Sequence, residues 1–452
     1  MKAVAVVPIV GLVEPFAVVT VVPWTVSTPL LTLKVSSGKF VAMPPVSPAD
    51  VADAQERIEG VVHRTPLDRS TTLAELSGAA SVALKLENLQ RTGSFKIRGA
   101  YNHMAQLSAE QQSRGVIASS AGNHAQGVAL AGQLLDVEVT IVVPEVTPAA
   151  KIRAAQGYGA EVIVAGDIYE RSYERARTLA EDEGYEFVHP FNDDRIIAGQ
   201  GTIGLELADQ YPELDVVLVA VGGGGLVSGI ATALQSIEPD VRVIGVQPTG
   251  AAHAKPSLER GEIHELSTVE TIADGIADTR LLERTFAVMR ECVDDVVTVT
   301  DRDLTVAVAL LAERAKLVVE PAGAAPVAAL LAGAVDVRDE HVAAIISGGN
   351  VDLTTHAGLV RAGLENLDRY ARLTVSIDDW PRGLSNVVEA LEDRRVALRE
   401  FQPRWGTDRD GTDARSVDLE LESGDGTQLH EAIDALDALT GVAVTERSHS
   451  FQ

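Results

Sequence analysis

From about Asp50 to Glu365 the chain repeats one pattern: a short run of β-branched and aliphatic residues, a glycine or polar break, then a stretch with helical periodicity. The runs Ser81 to Glu87, Gly115 to Ser119, Glu138 to Val143, Glu161 to Ala165, Val216 to Val221, Val241 to Val246 and Val342 to Ser347 read as strands. Helical stretches separate them, Asn123 to Leu135 and Leu304 to Lys316 among them. Strands that are apolar throughout need cover on both faces, which only a mostly parallel sheet between helix layers supplies. The expectation is an α/β core.

Two flanks differ in texture from this core. Residues 1–45 are apolar with charges only at Lys2, Glu14, Lys34 and Lys39, yet Pro8, Pro15, Pro23 and Pro29 interrupt the run. A membrane-spanning helix needs about 20 apolar residues in a row, and each proline removes a helix hydrogen bond. A secretory signal lacks its unbroken apolar segment and cleavage site here. The leader is therefore expected to be a poorly structured extension of a chain that begins in effect at Met43. After Asn366 a compact order appears: strand Arg372 to Ile377, helix Gly383 to Glu392, strands Val396 to Trp405 and Val417 to Leu421 around the turn-rich TDRDGTDARS, helix Gln428 to Leu439, strand Val442 to Thr445. That βαββαβ order predicts a ferredoxin-like α+β module. The domains expected are thus 1–45, 46–365 and 366–452, and His430 in the last has no partner spaced for a metal.

Composition narrows the function. With 38 Lys plus Arg against 65 Asp plus Glu, the net charge of -27 repels nucleic acid and anionic membranes. The lone Cys292 forms neither a disulfide nor a cysteine zinc site, which fits a reducing, cytoplasmic setting. Such acidity has two readings, a salt-rich cytoplasm or a biased genome. Only 8 of the 38 cationic residues are lysine, so a lysine framed by glycines draws notice.

Lys96 is such a residue, in ENLQRTGSFKIRGAYN. It reads either as a solvated helix lysine or as a Schiff-base lysine held within reach of a carbonyl carbon. Downstream, DVVLVAVGGGGLVSGI runs a buried strand into four glycines and then a helix, so that amides converge on an anion at a helix start. The dinucleotide fingerprint fails there, because Val227 and Ser228 stand where its third glycine belongs, and no P-loop lysine follows. The phosphate of a small cofactor is the remaining ligand. SSAGNHAQGVAL makes a second strand-to-helix junction suited to a carboxylate, although capping alone also accounts for Asn123, and His124 reads as structural. ISGGN delivers Ser347 to the same sheet edge. Amine, phosphate cup, carboxylate site and strand-end serine together meet the needs of pyridoxal phosphate acting on an amino acid.

At these residues the sequence resembles the threonine dehydratases of pyridoxal-phosphate fold type II, from about Val51 to Glu365 through SFKIRGA, SSAGNHAQG, VGGGGLVSG, EPAG (Glu320 to Gly323) and SGGN. The resemblance implies a two-subdomain parallel-sheet core, the smaller subdomain spanning roughly 97–188. It implies that Lys96 joins the cofactor aldehyde, Phe95 packs by its ring, and Asn123 bonds its phenolic oxygen. Gly222, Gly223, Gly224, Gly225 and Leu226 would hold the phosphate, with Ser347 facing the pyridine nitrogen. Ser119, Ala121, Gly122 and His124 would border the substrate carboxylate. The activity implied is deamination of L-threonine to 2-oxobutanoate and ammonia, with L-serine as a second substrate, in a homo-oligomer (dimer or tetramer). A neutral Ser347 disposes such a site to elimination over transamination or racemisation. Ala121 stands where related racemases have a serine, and GVQPTGAAH offers Gln247 and His253 where some relatives bind a divalent ion, so no metal is expected.

The tail resembles the ACT-like regulatory domain of biosynthetic threonine dehydratases, with one βαββαβ unit rather than two. By that analogy isoleucine inhibits and valine opposes it. The tail's DDWPRGLSN, Asp378 to Asn386, departs from the Arg-Pro-Gly of amino-acid-binding members, and a ligand-free oligomerisation module is the other reading. Three alternatives stay open: a catabolic serine or threonine dehydratase, a non-catalytic amino-acid sensor, and a nicotinamide dehydrogenase, which the missing third glycine opposes.

Overall fold

The computed structural model describes residues 45–378, 380–407 and 413–448. The apolar leader up to residue 44 and the tip of the TDRDGTDARS turn lie outside the described residues.

In chain order the strands are β1 (Leu67–Arg69), β2 (Ser81–Lys85), β3 (Val116–Ser119), β4 (Val139–Val143), β5 (Glu161–Val164), β6 (Glu186–Phe187), β7 (Val216–Ala220), β8 (Arg242–Pro248), β9 (Asp295–Val299), β10 (His341–Ile345), β11 (Tyr370–Ile377), β12 (Ala397–Thr407), β13 (Asp413–Glu422) and β14 (Val442–Ser448). Among the described residues they form three sheets. The largest has the order β1-β2-β10-β7-β8-β9 and is parallel except at β1. A smaller parallel sheet has the order β5-β4-β3-β6. The tail forms an antiparallel sheet in the order β12-β13-β11-β14.

The unbroken apolar runs are explained by what lies on each side. Along β7, Val216, Leu218 and Ala220 enter one core, shared with the Asp301–Leu310 and Pro321–Leu331 helices, while Val217 and Val219 enter another, under the Asp194–Gln210 and Gly225–Ile237 helices. A strand buried on both faces cannot alternate with polar residues. In the tail, Leu373, Val375 and Ile377 face one shared core with Val387, Leu391, Leu429, Ile433 and Leu436 of the Arg382–Asp393 and Gly426–Asp437 helices. Here β11 alternates between buried and half-buried positions, as a sheet covered on one face should.

Several boundaries depart from the sequence reading. The helix expected over Leu304 to Lys316 starts at Asp301, because Thr300 and Asp303 form a capping box, and turns into a π-turn over Leu311–Ala315 that Lys316 ends at φ 61°. β2 stops at Lys85, since Glu87 starts a short 3-10 turn that carries its carboxylate to Arg98. β1, β6 and β9 are strands the sequence reading did not name. At the π-turn, Glu313 takes a two-pronged ion pair from Arg369, at 2.7 and 3.0 Å, which joins the tail to the core.

Candidate active site

Lys96, the glycine run, Asn123 and Ser347 lie at or just past the carboxyl ends of parallel strands. The segment before Lys96 is sewn to the end of β10: Gly349 N–H donates to Gly93 O (2.9 Å), Phe95 N–H donates to Ser347 O (3.2 Å), and Ser94 bridges Gly348. The Lys96–Met104 helix begins there, and Gly127 of the Asn123–Leu135 helix packs on Lys96, where a Cβ would sit 3.0 Å from the Lys96 backbone. Lys96 is half-buried, and its Nζ donates to the Pro190 carbonyl (3.1 Å) and lies 5.1 Å from the Phe95 ring centre. Burial lowers its pKa to about 8, with the carboxyls of Asp278 and Glu320 opposing that shift. The solvated-helix reading of Lys96 does not describe this position.

After β7 comes the glycine cup. Gly224, at φ 86°, precedes the Gly225–Ile237 helix, and no side chain caps that helix start. A Cβ on Gly223 would overlap the Phe191 ring, and one on Gly225 would lie 2.8 Å from Phe191 Cβ. The residues His189 to Phe191 therefore join the two halves of the site, Pro190 holding the Lys96 amine and Phe191 closing over the cup. Leu226 turns its side chain into the core beneath, which leaves its amide for the cup.

Asn123 sits in a relay that fixes its amide. Asn350 Nδ2 donates to the Thr92 carbonyl (2.7 Å), a group that only accepts, and to Asn123 Oδ1 (2.7 Å). Asn123 Nδ2 is thereby turned to Glu320 Oε1 (2.8 Å). Burial pushes Glu320 up to about 7, Asp274 adding to the shift and the Asn123 amide opposing it. Gly348 leaves room for the Glu320 carboxylate, which a Cβ there would strike. Ser347 is buried at the same strand end.

The four residues expected at a substrate carboxylate divide. Ala121 and Gly122 are half-buried at the start of the Asn123–Leu135 helix, with Gly122 N–H donating to Ser120 Oγ (3.2 Å). Ser119 Oγ is buried without a partner among the described residues, as is Ser94 Oγ. His124 is spent on structure: its Nε2 lies 2.9 Å from the Val188 carbonyl, and burial, helped by Lys96, drives its pKa to about 3. Sequence reasoning missed Asp278, Asn350, Phe191 and the part played by Glu320. Gln247 and His253 bond each other at 3.1 Å, Gln247 also donating to Val221 O and accepting from Ala254 N–H.

This set fits pyridoxal phosphate on its own terms. The amine is buried enough to be neutral in part near pH 8, the cup's glycines leave its amides without a shielding Cβ, and no N-cap side chain occupies the start of the helix that follows.

Comparison with known proteins agrees. Residues 58–348 match the model of the pyridoxal-phosphate dependent enzyme family. The chain is 43% identical over 383 residues to the L-threonine ammonia-lyase of Thermotoga maritima, covering 84% of this chain and 95% of that protein. It is 44% identical over 326 residues to the catabolic L-threonine dehydratase of Staphylococcus aureus, 72% of this chain and 94% of that one. The structure of the processed form of threonine deaminase isoform 2 from Solanum lycopersicum superposes with a TM-score of 0.67 at 36% identity, covering 73% of this chain and 98% of that chain. With the lysine, the cup and the strand-end edge already in place, the match makes the chain a member of the pyridoxal-phosphate dependent enzymes of fold type II.

Proposed function

We propose that the protein deaminates L-threonine to 2-oxobutanoate and ammonia, and L-serine to pyruvate as a second substrate. One observation carries this reading: the Lys96 amine, lowered to about 8, and the glycine cup meet through shared neighbours, Pro190 and Phe191 on one side and Asp278 on the other. In this reading the amides of Gly222, Gly223, Gly224, Gly225 and Leu226 hold the phosphate, Asn123 and Ser347 meet the ring's oxygen and nitrogen, and Phe95 lies beside the ring. Bound pyridoxal phosphate supplies the conjugated electron sink that stabilises negative charge at the substrate α-carbon. Lys96 Nζ, once free, takes the α-proton, a step its lowered pKa makes feasible near neutrality. Ser119, Ala121 and Gly122 border the substrate carboxylate at the start of the Asn123–Leu135 helix, where unpaired amides favour an anion. His124 keeps that helix start in register through Val188 and moves no proton. The β-hydroxyl leaves as water, and a water molecule returns when the nitrogen is released as ammonia.

The biosynthetic role, with isoleucine inhibiting and valine opposing through the tail, belongs to the same proposal. Two observations support a regulatory tail: its contact with the π-turn through Arg369 and Glu313, and a match to the Thermotoga lyase longer than that to the Staphylococcus dehydratase, 383 residues against 326. Regulation requires the effector to bind two states unequally. The test is 2-oxobutanoate formation from threonine, with and without isoleucine, in the full chain and in a chain ending at Asn366. The expected result is inhibition in the former and insensitive activity in the latter. Full-length enzyme that ignores isoleucine overturns the biosynthetic reading and favours a catabolic dehydratase; absence of turnover overturns the lyase.

A further inference from the structure

Glycine is not alone at the cup. Asp278 follows the 3-10 turn Asp274–Ile276 and lays its carboxyl against the same backbone: Oδ2 is 2.6 Å from where a Cβ on Gly222 would stand, and the Gly223 N–H faces it. Phe191 covers the cup from the other side. The titratable groups that face Asp278 are Lys96 and Tyr169, the latter from the Tyr169–Glu183 helix. Asp278 thus occupies, with a carboxylate, the rim of a site read above as binding a phosphate. A carboxylate and a phosphate dianion at one set of amides repel, and where water is excluded the pair is relieved by taking up one proton between them.

We propose that Asp278 is a proton-linked placeholder: its carboxylate answers the Gly223 amide while no phosphate is bound, and when a phosphate ester enters the cup the carboxylate and the ester together take up a proton. The inference rests on the reading of Gly222–Gly225 as a phosphate site. Its consequence is that cofactor loading weakens as pH rises, over and above whatever the Lys96 amine contributes. Burial pushes the Asp278 carboxyl upward, with Lys96 and the Gly223 amide opposing.

Pyridoxine 5′-phosphate is the probe, because it carries the phosphate ester but no aldehyde for Lys96. Its binding to the full chain is followed by calorimetry at about pH 8, where the ester, with a second pKa of about 6, is already a dianion. Two buffers of unlike ionisation heat give the protons taken up. Wild type is expected to take up more protons than Asp278→Asn, by up to about one, and Asp278→Asn to bind about tenfold tighter. The pair is repeated in a Lys96→Met background, which removes proton traffic at the amine, and Asp278→Ser stands in if the asparagine variant fails to fold. Equal uptake and equal affinity across the pair overturn the placeholder while leaving the cup intact. Binding of the ester no tighter than that of pyridoxine, in wild type and variant alike, overturns the cup and the placeholder with it.

Discussion

A lysine with a pKa of about 8 is neutral in roughly one molecule in ten at pH 7, against about one in 2,500 for a free lysine near 10.4. Burial makes that difference, and it sets a measurable curve. Labelling of Lys96 in cofactor-free protein by an aldehyde and borohydride should rise about tenfold per pH unit up to about 8 and then level off, as read by peptide mass spectrometry. A curve still climbing past about pH 9 contradicts the buried amine. Lys96→Ala should lose threonine turnover by at least about a thousandfold, with circular dichroism unchanged. Lys96 was legible in the sequence because lysine is scarce and this one is framed by Gly93 and Gly99. Glu320 and Asn350 were present in quoted motifs, yet their work was hidden. Glu320 meets Asn123 across 197 residues of chain and Asn350 meets it across 227, separations at which local pattern carries no information. Asp278 had no motif at all.

At the level of elements, the Lys96–Met104 helix is anchored by a buried ionic lattice two residues past the lysine. Arg98 donates to both oxygens of Glu87 (2.8 and 2.7 Å) and to Glu206 (2.7 and 3.1 Å), while Lys85 donates to Glu206 at 2.5 Å. All four side chains are buried. Removing one member leaves an uncompensated charge, so Arg98→Met should cost about 3–5 kcal/mol in urea unfolding followed at equilibrium. A loss under about 1 kcal/mol would mean that water reaches the lattice. Burial works against Glu87, but the Arg98 guanidinium and the Thr65 hydroxyl hold its carboxyl below the usual range. A depressed carboxyl contributes stability above its unfolded pKa, about 4.3, and loses it as pH falls through the folded value. The lattice was invisible to sequence reading, which takes charged residues as solvated. The elements themselves were largely legible, since long runs such as Val216–Ala220 admit few alternatives. Glu186–Phe187 and Leu67–Arg69 are too short to show a period, and each exists because a neighbouring strand offers it a free edge.

The whole molecule carries a net charge of -27, a surplus of acids that no pairing with its own cations can answer. Raising KCl from about 0.1 M to about 1 M shortens the screening length from about 10 to about 3 Å, so the melting temperature should rise. A melting temperature that falls would show that ion pairs, not self-repulsion, dominate. The tail's hold on the core works the other way: the Arg369–Glu313 pair is two-pronged and mostly shielded from water, so Arg369→Ala should cost more than the roughly 1 kcal/mol of an exposed pair, as read by urea unfolding. Architecture was the most legible level, because alternation of apolar runs and helices fixes layers before any contact is known. Finally, the stitching of residues 93–95 to the end of β10 bears on motion. The reactive nitrogen follows directly on a segment fastened to the large sheet, so any rearrangement of the chain after β10 would be felt at the amine.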